Sequence, residues 1–426
     1  MPGGDGVRRP PGYGDVVSST SAVGAEAPSA PTDHYTIISA DCHGGGSPDQ
    51  YREYLDARHR DAFDAWRSGY RNPYRDLQGD SRTRNWDDAR RWRDLEKDGQ
   101  VAEVLFPNTV PPFFPTGIVI ARPPTAEEYE LRWAGLRAHN RWLADFCSQA
   151  PNRRAGIAQI CLNDVDDAVR EIHWAKEAGL RGVLIPNIPP DHPDLLPVYD
   201  PGYDPIWAAC QDLDLPVNSH SGTGLPDYGK YPVSQVLWVI ETPFFGHRVL
   251  WFMIMSGVFE RFPRLKFVMT ETGAGWVPQT LRQLDGLHMA VKAGRTGEVG
   301  FDSSTALALK PSEYFHRNCR IGASFPSPHE GRAREAIGLH NYMWGSDYPH
   351  HEGSPPFSRE SLRRAFAGVA PSELHQILAV NAAEVYGFDL AQLAPLAAVH
   401  GPTVAEINEP YEGVPDGATS PCFYQP

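Results

Sequence analysis

Four residues of the types that bind metal ions stand at the ends of short apolar runs far apart in the chain. Asp41 and His43 end the first run, His220 ends a later one and Asp347 ends the last. In an extended segment residues i and i+2 project to the same side, so Asp41 and His43 offer an oxygen and a nitrogen together. This mixture of donors suits a divalent transition ion and leaves room for water or substrate. The residues predict one divalent metal ion, Zn²⁺ first and Mn²⁺ as the alternative.

The elements that must position these residues follow a regular alternation. Short β-rich runs are mostly followed by helical patterns, and the eight runs cover 35–40, 101–106, 155–160, 181–185, 215–219, 265–270, 319–323 and 342–346. Such an alternation is typical of an α/β protein with a (β/α)8 TIM barrel. In that fold all strand carboxyl ends meet at one face, where active sites lie. The barrel therefore predicts that Asp41, His43, His220 and Asp347 surround one point.

The segments outside this alternation differ in composition. We expect residues 1–33, rich in Gly, Pro, Ser and Ala, to be a disordered N-terminal tail. The barrel is predicted over residues 34–392, with a polar insertion at 47–98 after the first strand. Residues 393–426, which are acidic and contain prolines, are predicted to form an extended C-terminal arm.

Composition excludes several classes of partner. The chain has 426 residues and a net charge of -14, without a long Lys/Arg cluster, so neither nucleic acid nor an anionic membrane is expected to bind. No run reaches the roughly 20 apolar residues of a membrane span. Six scattered cysteines and no secretory pattern predict reduced thiols and a cytoplasmic location. The apolar stretch 236–259 motivates the hypothesis of a homodimer.

Three sequence blocks resemble a known family. They are Asn-Ser-His-Ser-Gly at 218–222, Ser-Gly-Val-Phe-Glu-Arg-Phe-Pro-Arg-Leu-Lys-Phe at 256–267 and Gly-Ser-Asp-Tyr-Pro-His-His-Glu-Gly at 345–353. Together with Asp-x-His after the first strand, they resemble the amidohydrolase-related family over about residues 35–390. This is the branch of the amidohydrolase superfamily that includes aminocarboxymuconate semialdehyde decarboxylase and the non-oxidative aromatic-acid decarboxylases.

The resemblance implies roles for the strand-end residues. It implies a single catalytic metal at the barrel mouth, with Asp41 and His43 as the first-strand ligand pair and His220 as the fifth-strand ligand. Asp347 matches the aspartate of the eighth strand, which binds the metal or lies beside it and moves protons. Many members carry a His followed by Gly after the sixth strand, where this chain has Glu271. That carboxylate is open to three roles: a further ligand, a general base, or a partner that orients His220.

Two reactions are compatible with this set of residues. In a hydrolysis, metal-activated water attacks a C–N, C–O or C–C bond next to a carbonyl, and Asp347, His220 and Glu271 are the catalytic residues. In a decarboxylation, Asp347 protonates the carbon that loses CO2. The Glu271 charge disfavours a carboxylate substrate, so we expect hydrolysis first and a non-oxidative decarboxylase as the alternative. A metal-binding barrel without turnover is the second alternative.

Aromatic residues near the strand ends suggest the class of substrate. Phe106, Trp276 and Tyr348 would make a partly apolar pocket, and His350 follows Asp347 in the resembling block. We expect these four residues to contact a small ring-bearing or unsaturated organic substrate.

Overall fold

Each of the eight predicted strand runs forms a parallel strand of one sheet. The structure, a computed structural model, describes residues 33–73, 78–108, 110–116 and 121–425. In chain order the strands are β1 (Ile38–Gly44), β2 (Ala102–Pro107), β3 (Arg154–Gln159), β4 (Gly182–Leu184), β5 (Val217–His220), β6 (Phe267–Thr270), β7 (Arg295–Thr296), β8 (Val299–Gly300), β9 (Cys319–Ser324) and β10 (Tyr342–Gly345). The sheet order is β1-β2-β3-β4-β5-β6-β9-β10, while β7 and β8 form a separate antiparallel pair. The predicted (β/α)8 barrel is confirmed.

Helices follow most of the strands. They are α1 (Pro48–Tyr54), α2 (Arg60–Gly69), α3 (Asp88–Lys97), α4 (Tyr129–Ser148), α5 (Val165–Glu177), α6 (Asp204–Asp212), α7 (Ser234–Met255), α8 (Val258–Arg261), α9 (Val277–Lys292), α10 (Pro311–Asn318), α11 (Pro328–Ile337), α12 (Ser358–Phe366), α13 (Pro371–His375), α14 (Asn381–Tyr386), α15 (Leu390–His400) and α16 (Val404–Asn408). The expected N-terminal tail lies outside the described residues except for Asp33. The predicted C-terminal arm begins inside α15 and contains α16. The proposed division into domains stays a prediction.

Hydrogen bonds just beyond β10 bring the last strand to the first. The Asp347 backbone N donates to the Asp41 O at 2.8 Å, and the His43 N donates to the Tyr348 O at 2.6 Å. On the same seam the Ser346 N donates to the Ser39 Oγ at 2.9 Å. Because the seam joins β1 to the residues after β10, the Asp-x-His pair and Asp347 become neighbours.

Alternate strand residues fill the barrel interior. Ile38 of β1, Ile157 of β3, Val268 of β6 and Met343 of β10 belong to one buried cluster. Strands β1, β3 and β6 are not neighbours in the sheet, so side chains from them can meet only through the interior. The barrel is therefore a packed core that supports a site at its mouth.

The insertion after β1 is tied to the barrel by buried charges. Arg91 of α3 donates to Glu103 of β2, with Nη2 and Oε2 2.5 Å apart, and Arg154 of β3 reaches the other oxygen of Glu103 at 3.1 Å. The Arg91 Nη1 also donates to the His43 backbone O at 2.7 Å. The insertion thus fixes the backbone of a predicted metal ligand.

Several surface features bear on the predicted partners. No helix within the described ranges combines the length and the apolar character needed to cross a membrane. All six cysteines are buried free thiols. In α7 the side chains of Val236, Val239, Ile240 and Phe244 are exposed. The homodimer that this stretch suggested stays a prediction.

Candidate metal centre at the barrel mouth

The side chains of Asp41 and His43 leave the end of β1 together. The His43 Nδ1 lies 3.0 Å from the Pro107 backbone O, which can only accept, so Nδ1 carries the proton in the neutral ring. The Nε2 lone pair then faces two carboxylates, at 3.3 Å from Asp41 Oδ1 and 3.2 Å from Asp347 Oδ1. This Nε2 is buried without a hydrogen-bond partner among the described residues. A cation between the three groups would satisfy all of them.

His220 approaches the same carboxylate from the end of β5. Its Nε2 lies 3.4 Å from Asp41 Oδ1, and its Nδ1 lies 3.2 Å from Glu271 Oε2. The Ser221 Oγ donates to the same Glu271 oxygen at 3.0 Å. A carboxylate that accepts from one ring nitrogen fixes the tautomer and leaves the other nitrogen free to bind a metal.

Asp347 forms a pair with His350. The His350 Nδ1 lies 2.7 Å from Asp347 Oδ1, and its Nε2 lies 3.1 Å from the Asn108 Oδ1. Since Asn108 Oδ1 can only accept, His350 donates from Nε2 when that bond forms. The second Asp347 oxygen, Oδ2, is buried with no partner within the described part of the chain. The pair therefore holds one free oxygen next to the ligand cluster.

Among the residues that the structure describes, ligand atoms of the right kinds converge in three overlapping groups. Within each group they lie within 4.8 Å of one another, and the groups are Asp41, His43, His220 and Glu271; His43, Asp347 and His350; and Glu271, Asp347 and Glu352. The first group supplies imidazole nitrogens and carboxylate oxygens in a set that Zn²⁺ and Mn²⁺ both accept. Together with the unpartnered His43 Nε2 and Asp347 Oδ2, this set fits a divalent ion.

The charges of the cluster depend on burial and on close neighbours. Burial raises the pKa of the Asp41 carboxyl, but the adjacent His220 and His43 rings outweigh burial and hold the pKa well below its usual value. Burial, together with the Asp347 charge, raises the pKa of Glu271 to about 7. Burial lowers the pKa of His350, but the Asp347 charge outweighs it and brings the pKa to about 9. Several carboxylates share a small volume, which favours a bound cation.

The cluster opens into a cavity of about 1090 Å³. Phe106, Trp276, His350 and Glu271 line it, as expected for the first three from the sequence. The Phe106 ring lies 4.9 Å from the His220 ring, and Trp276 stacks on His247 at 3.8 Å between ring centroids. The cavity has one aromatic wall beside the ligand cluster, which suits a planar organic ligand.

Tyr348 is the one predicted contact residue that does not line this cavity. Its hydroxyl donates to Asp94 Oδ2 at 3.0 Å, and the Arg91 guanidinium lies over its ring. Tyr348 thus faces the insertion, while Asp347 faces the mouth, and the structure gives Tyr348 a packing role.

Three residues of the site were not predicted from the sequence. Asn108 follows β2, Ser324 ends β9 and donates a short hydrogen bond to Asp41 Oδ2, and Ser221 contacts Glu271. Asn108 and Ser324 share a signal with the predicted ligands, because each is a polar residue at a strand carboxyl end. That rule, applied to every strand, would have found them.

A parallel α/β barrel with a nitrogen and oxygen ligand set at its carboxyl-terminal mouth defines a class of metal-dependent barrel proteins. Comparison with known proteins gives the family: residues 104–388 match the family described as Amidohydrolase. The chain belongs to the amidohydrolase family, which confirms the resemblance seen in the sequence.

Curated relatives of this chain are decarboxylases. Gamma-resorcylate decarboxylase of Polaromonas sp. is 27% identical over 165 residues, which cover 37% of this chain and 49% of that protein. The 2-amino-3-carboxymuconate-6-semialdehyde decarboxylase of Dictyostelium discoideum is 26% identical over 202 residues, 47% of this chain and 51% of that protein. The chain spans about half the length of the curated relatives it matches.

Solved structures share the fold. A 5-carboxyvanillate decarboxylase from Sphingomonas paucimobilis has a TM-score of 0.60 at 24% identity, covering 83% of this chain and 100% of that chain. Another, from Novosphingobium aromaticivorans, contains manganese and 4-hydroxy-3-methoxy-5-nitrobenzoic acid; its TM-score is 0.60 at 19% identity, over 83% of this chain and 96% of that chain. At these identities the likeness establishes the barrel fold.

Proposed function

We propose that this protein is a metal-dependent, non-oxidative decarboxylase of an aromatic hydroxy acid. The observation that carries the proposal is the convergence of Asp41, His43 and His220 on one point, with the Asp347–His350 pair beside it. The expectation of hydrolysis gives way to the decarboxylase alternative because the curated relatives remove CO2 from carboxylic acids. The Glu271 charge had favoured hydrolysis because it would repel a substrate carboxylate. Its contact with His220 Nδ1 reduces this repulsion.

Asp41, His43 and His220 are the residues that would hold the metal ion, with Asp347 beside them. The bound ion would supply a positive charge that fixes the substrate carboxylate and a neighbouring oxygen. We favour Mn²⁺ over the Zn²⁺ first expected, since oxygen ligands suit Mn²⁺ and related structures contain manganese. Glu271 is assigned to orient His220 through Nδ1.

Asp347 and His350 supply the proton. Asp347 first takes a proton from His350 Nδ1 and then gives it to the ring carbon that carries the substrate carboxylate. A π electron pair of the ring forms the new C–H bond, and that carbon becomes tetrahedral. The bond to the carboxylate then breaks, its electron pair re-forms the π bond of the ring, CO2 leaves, and the ring regains aromaticity. His350 Nδ1, which lies 2.7 Å from Asp347 Oδ1, again supplies a proton to the Asp347 carboxylate for the next turnover. One proton therefore replaces one CO2, without an oxidant or reductant.

The cavity wall supports a ring-bearing substrate. Phe106 and Trp276 offer aromatic faces, and Val110, Ile160 and Leu184 add apolar surface. A planar ring between these side chains buries apolar area while its carboxylate points to the charged cluster.

The test is CO2 release by protein loaded with Mn²⁺ or Zn²⁺. We expect CO2 from at least one hydroxylated aromatic acid, with 2,6-dihydroxybenzoate and 5-carboxyvanillate tried first. The activity should be lost in His220→Ala, whose fold is checked by circular dichroism. Aryl esters and anilides are assayed in parallel. Hydrolysis of the esters or anilides without CO2 release would show that the protein is a hydrolase. A protein that binds its full metal equivalent and turns over none of these compounds would support the non-catalytic barrel.

A further inference from the structure

One buried guanidinium in the cavity wall has no carboxylate partner. Arg132, in the first turn of α4, is 5% exposed and lines the same cavity as His43 and His220. It forms no ion pair with any residue that the structure describes. Its Nη2 donates to the Arg122 backbone O at 3.1 Å, and its buried Nε has no hydrogen-bond partner in the same ranges. The Phe114 ring lies 4.4 Å below the guanidinium.

Other buried arginines of this barrel are paired. Arg91 and Arg154 both contact Glu103. Burying a charge without a counterion costs several kcal/mol, whereas a paired charge recovers much of this cost. Since a guanidinium stays protonated at neutral pH, the Arg132 charge remains inside the wall. A carboxylate of a bound ligand would balance it.

The acidic residues nearby on the walls are engaged by their own loops. Glu128 Oε2 accepts from the Thr125 backbone N at 3.0 Å, and Asp227 Oδ1 accepts from the Gly229 backbone N at 2.8 Å. Neither forms an ion pair with Arg132 in this structure. The Glu128 charge acts on Arg132 from a distance, and the donors of the guanidinium stay open to a molecule that enters from solvent.

Arg132 also lines a second, smaller cavity of about 550 Å³. The two cavities share Trp238 and the turn at Gly222 and Thr223. Arg132 therefore lies where the two cavities adjoin. It belongs to α4, whereas the ligand cluster lies at the strand ends. A molecule that touches both the cluster and Arg132 needs a charged group at each end.

We propose that Arg132 binds a second carboxylate of the substrate, at the end of the molecule remote from the metal. The inference rests on the proposed function and makes the substrate an aromatic dicarboxylic acid. A carboxylate at this place accepts from the planar fork of the guanidinium, including the unpartnered Nε, in the paired geometry that arginine favours. It also balances the buried charge when the ligand is bound.

The test measures binding rather than turnover. Isothermal titration compares benzoate with terephthalate, and biphenyl carboxylate with biphenyl dicarboxylate, on Mn²⁺-loaded protein. The variants are Arg132→Gln and Arg132→Lys. Arg122→Gln is the matched control, because Arg122 lines the same cavity but is paired with Asp191 at 2.6 Å. If Arg132→Gln fails to fold, Arg132→Met replaces it and keeps an apolar stem against Phe114.

We expect one diacid to bind at least about tenfold tighter than its mono-acid. Arg132→Gln should remove this preference while leaving mono-acid binding within about twofold, Arg132→Lys should keep part of it, and Arg122→Gln should keep it fully. Equal affinities within both pairs in the unaltered protein, or a preference that survives in Arg132→Gln, would overturn the inference. A preference in a protein that releases no CO2 would uphold the anion site and remove the decarboxylase proposal instead.

Discussion

Two acidic residues of the site have left-handed backbone conformations. Glu271 has φ 56° and Asp347 has φ 63°. Non-glycine residues adopt this region at a cost of about 1 kcal/mol or more, and such residues concentrate at functional sites. Glu271 directly follows β6 and Asp347 lies two residues after β10, where the conformation turns each carboxylate towards the barrel mouth. The strain therefore coincides with the two acids that contact His220 and His350.

The role assigned to Glu271 predicts how its variants bind metal. If Glu271 orients His220, the Glu271→Gln variant keeps an oxygen that accepts from His220 Nδ1. Its metal affinity should therefore fall only slightly. Glu271→Ala should weaken metal binding by about 10–100-fold, which is typical of a lost partner behind a ligand. The measurement is competition with a fluorescent chelator for Mn²⁺.

Glu352→Ala is the control, since Glu352 is exposed and lies outside the group formed by Asp41, His43, His220 and Glu271. Its affinity should stay within about twofold of the unaltered protein. If Glu271→Gln lost as much affinity as Glu271→Ala, Glu271 would be a metal ligand instead. If Glu352→Ala lost most of the metal, the ion would lie between Glu271, Asp347 and Glu352.

At the scale of elements, α4 and the proline-rich loop before it approach so closely that only glycine fits between them. A Cβ on Gly135 would lie 2.1 Å from the Pro112 O. The same loop carries Phe114, which contacts Arg132. The close approach therefore fixes one wall of the cavity.

Two glycine substitutions in helices should have opposite effects. Gly135→Ala should destabilise the protein by about 2 kcal/mol or more, because backbone must move to admit the methyl group. Gly286→Ala in α9 meets no atom within 4 Å and should stabilise by about 0.5–1 kcal/mol through helix propensity. Urea unfolding of both variants gives the comparison. Equal effects of the two substitutions would show that the loop moves aside without cost.

Much of the fold and half of the site follow from local pattern. The strands were predictable because each is a short β-rich run, and the barrel then brings Asp41, His220 and Asp347 together by topology alone. The direction of a side chain off a strand end is not local information. Tyr348 was predicted to line the cavity, yet it faces the insertion, where its hydroxyl donates to Asp94.

Residues on helices and loops are harder to predict. Arg132 lies in the first turn of α4, and nothing in its sequence neighbourhood distinguishes it from a surface arginine. Its proposed role depends on its burial in the cavity wall without an ion-pair partner among the described residues, which only the packing reveals.

At the scale of the whole molecule, a buried acid outside the mouth couples stability to pH. Asp98 accepts from the Ser358 backbone N at 3.0 Å and from the Gln100 Nε2 at 2.8 Å. Burial nevertheless raises the pKa of Asp98 to about 6. The folded protein binds the Asp98 proton more tightly than the unfolded chain does. Protonated Asp98 therefore adds to the free energy of unfolding below about pH 4, and this stabilisation is lost as the pH rises towards 6.

Asp98→Asn should remove this pH dependence. Relative to Asp98→Asn, the unaltered protein should lose on the order of 1 kcal/mol of unfolding free energy between pH 5 and pH 8. Urea unfolding of both proteins at the two pH values measures the difference, which cancels the effect of other titrating groups. A difference that does not change with pH, or changes in the opposite direction, would contradict the raised pKa of Asp98.

The central claim is that Asp347 delivers a proton to the carbon that loses CO2 beside a metal held by Asp41, His43 and His220. The most direct measurement is turnover of the best aromatic acid in D2O by Mn²⁺-loaded protein, with mass spectrometry of the product. The account predicts one deuterium at the vacated carbon for each CO2 released. It also predicts a loss of about 10²–10⁴-fold in rate for Asp347→Asn, which still binds the metal. Full activity of Asp347→Asn, or a product formed without loss of CO2, would contradict the account.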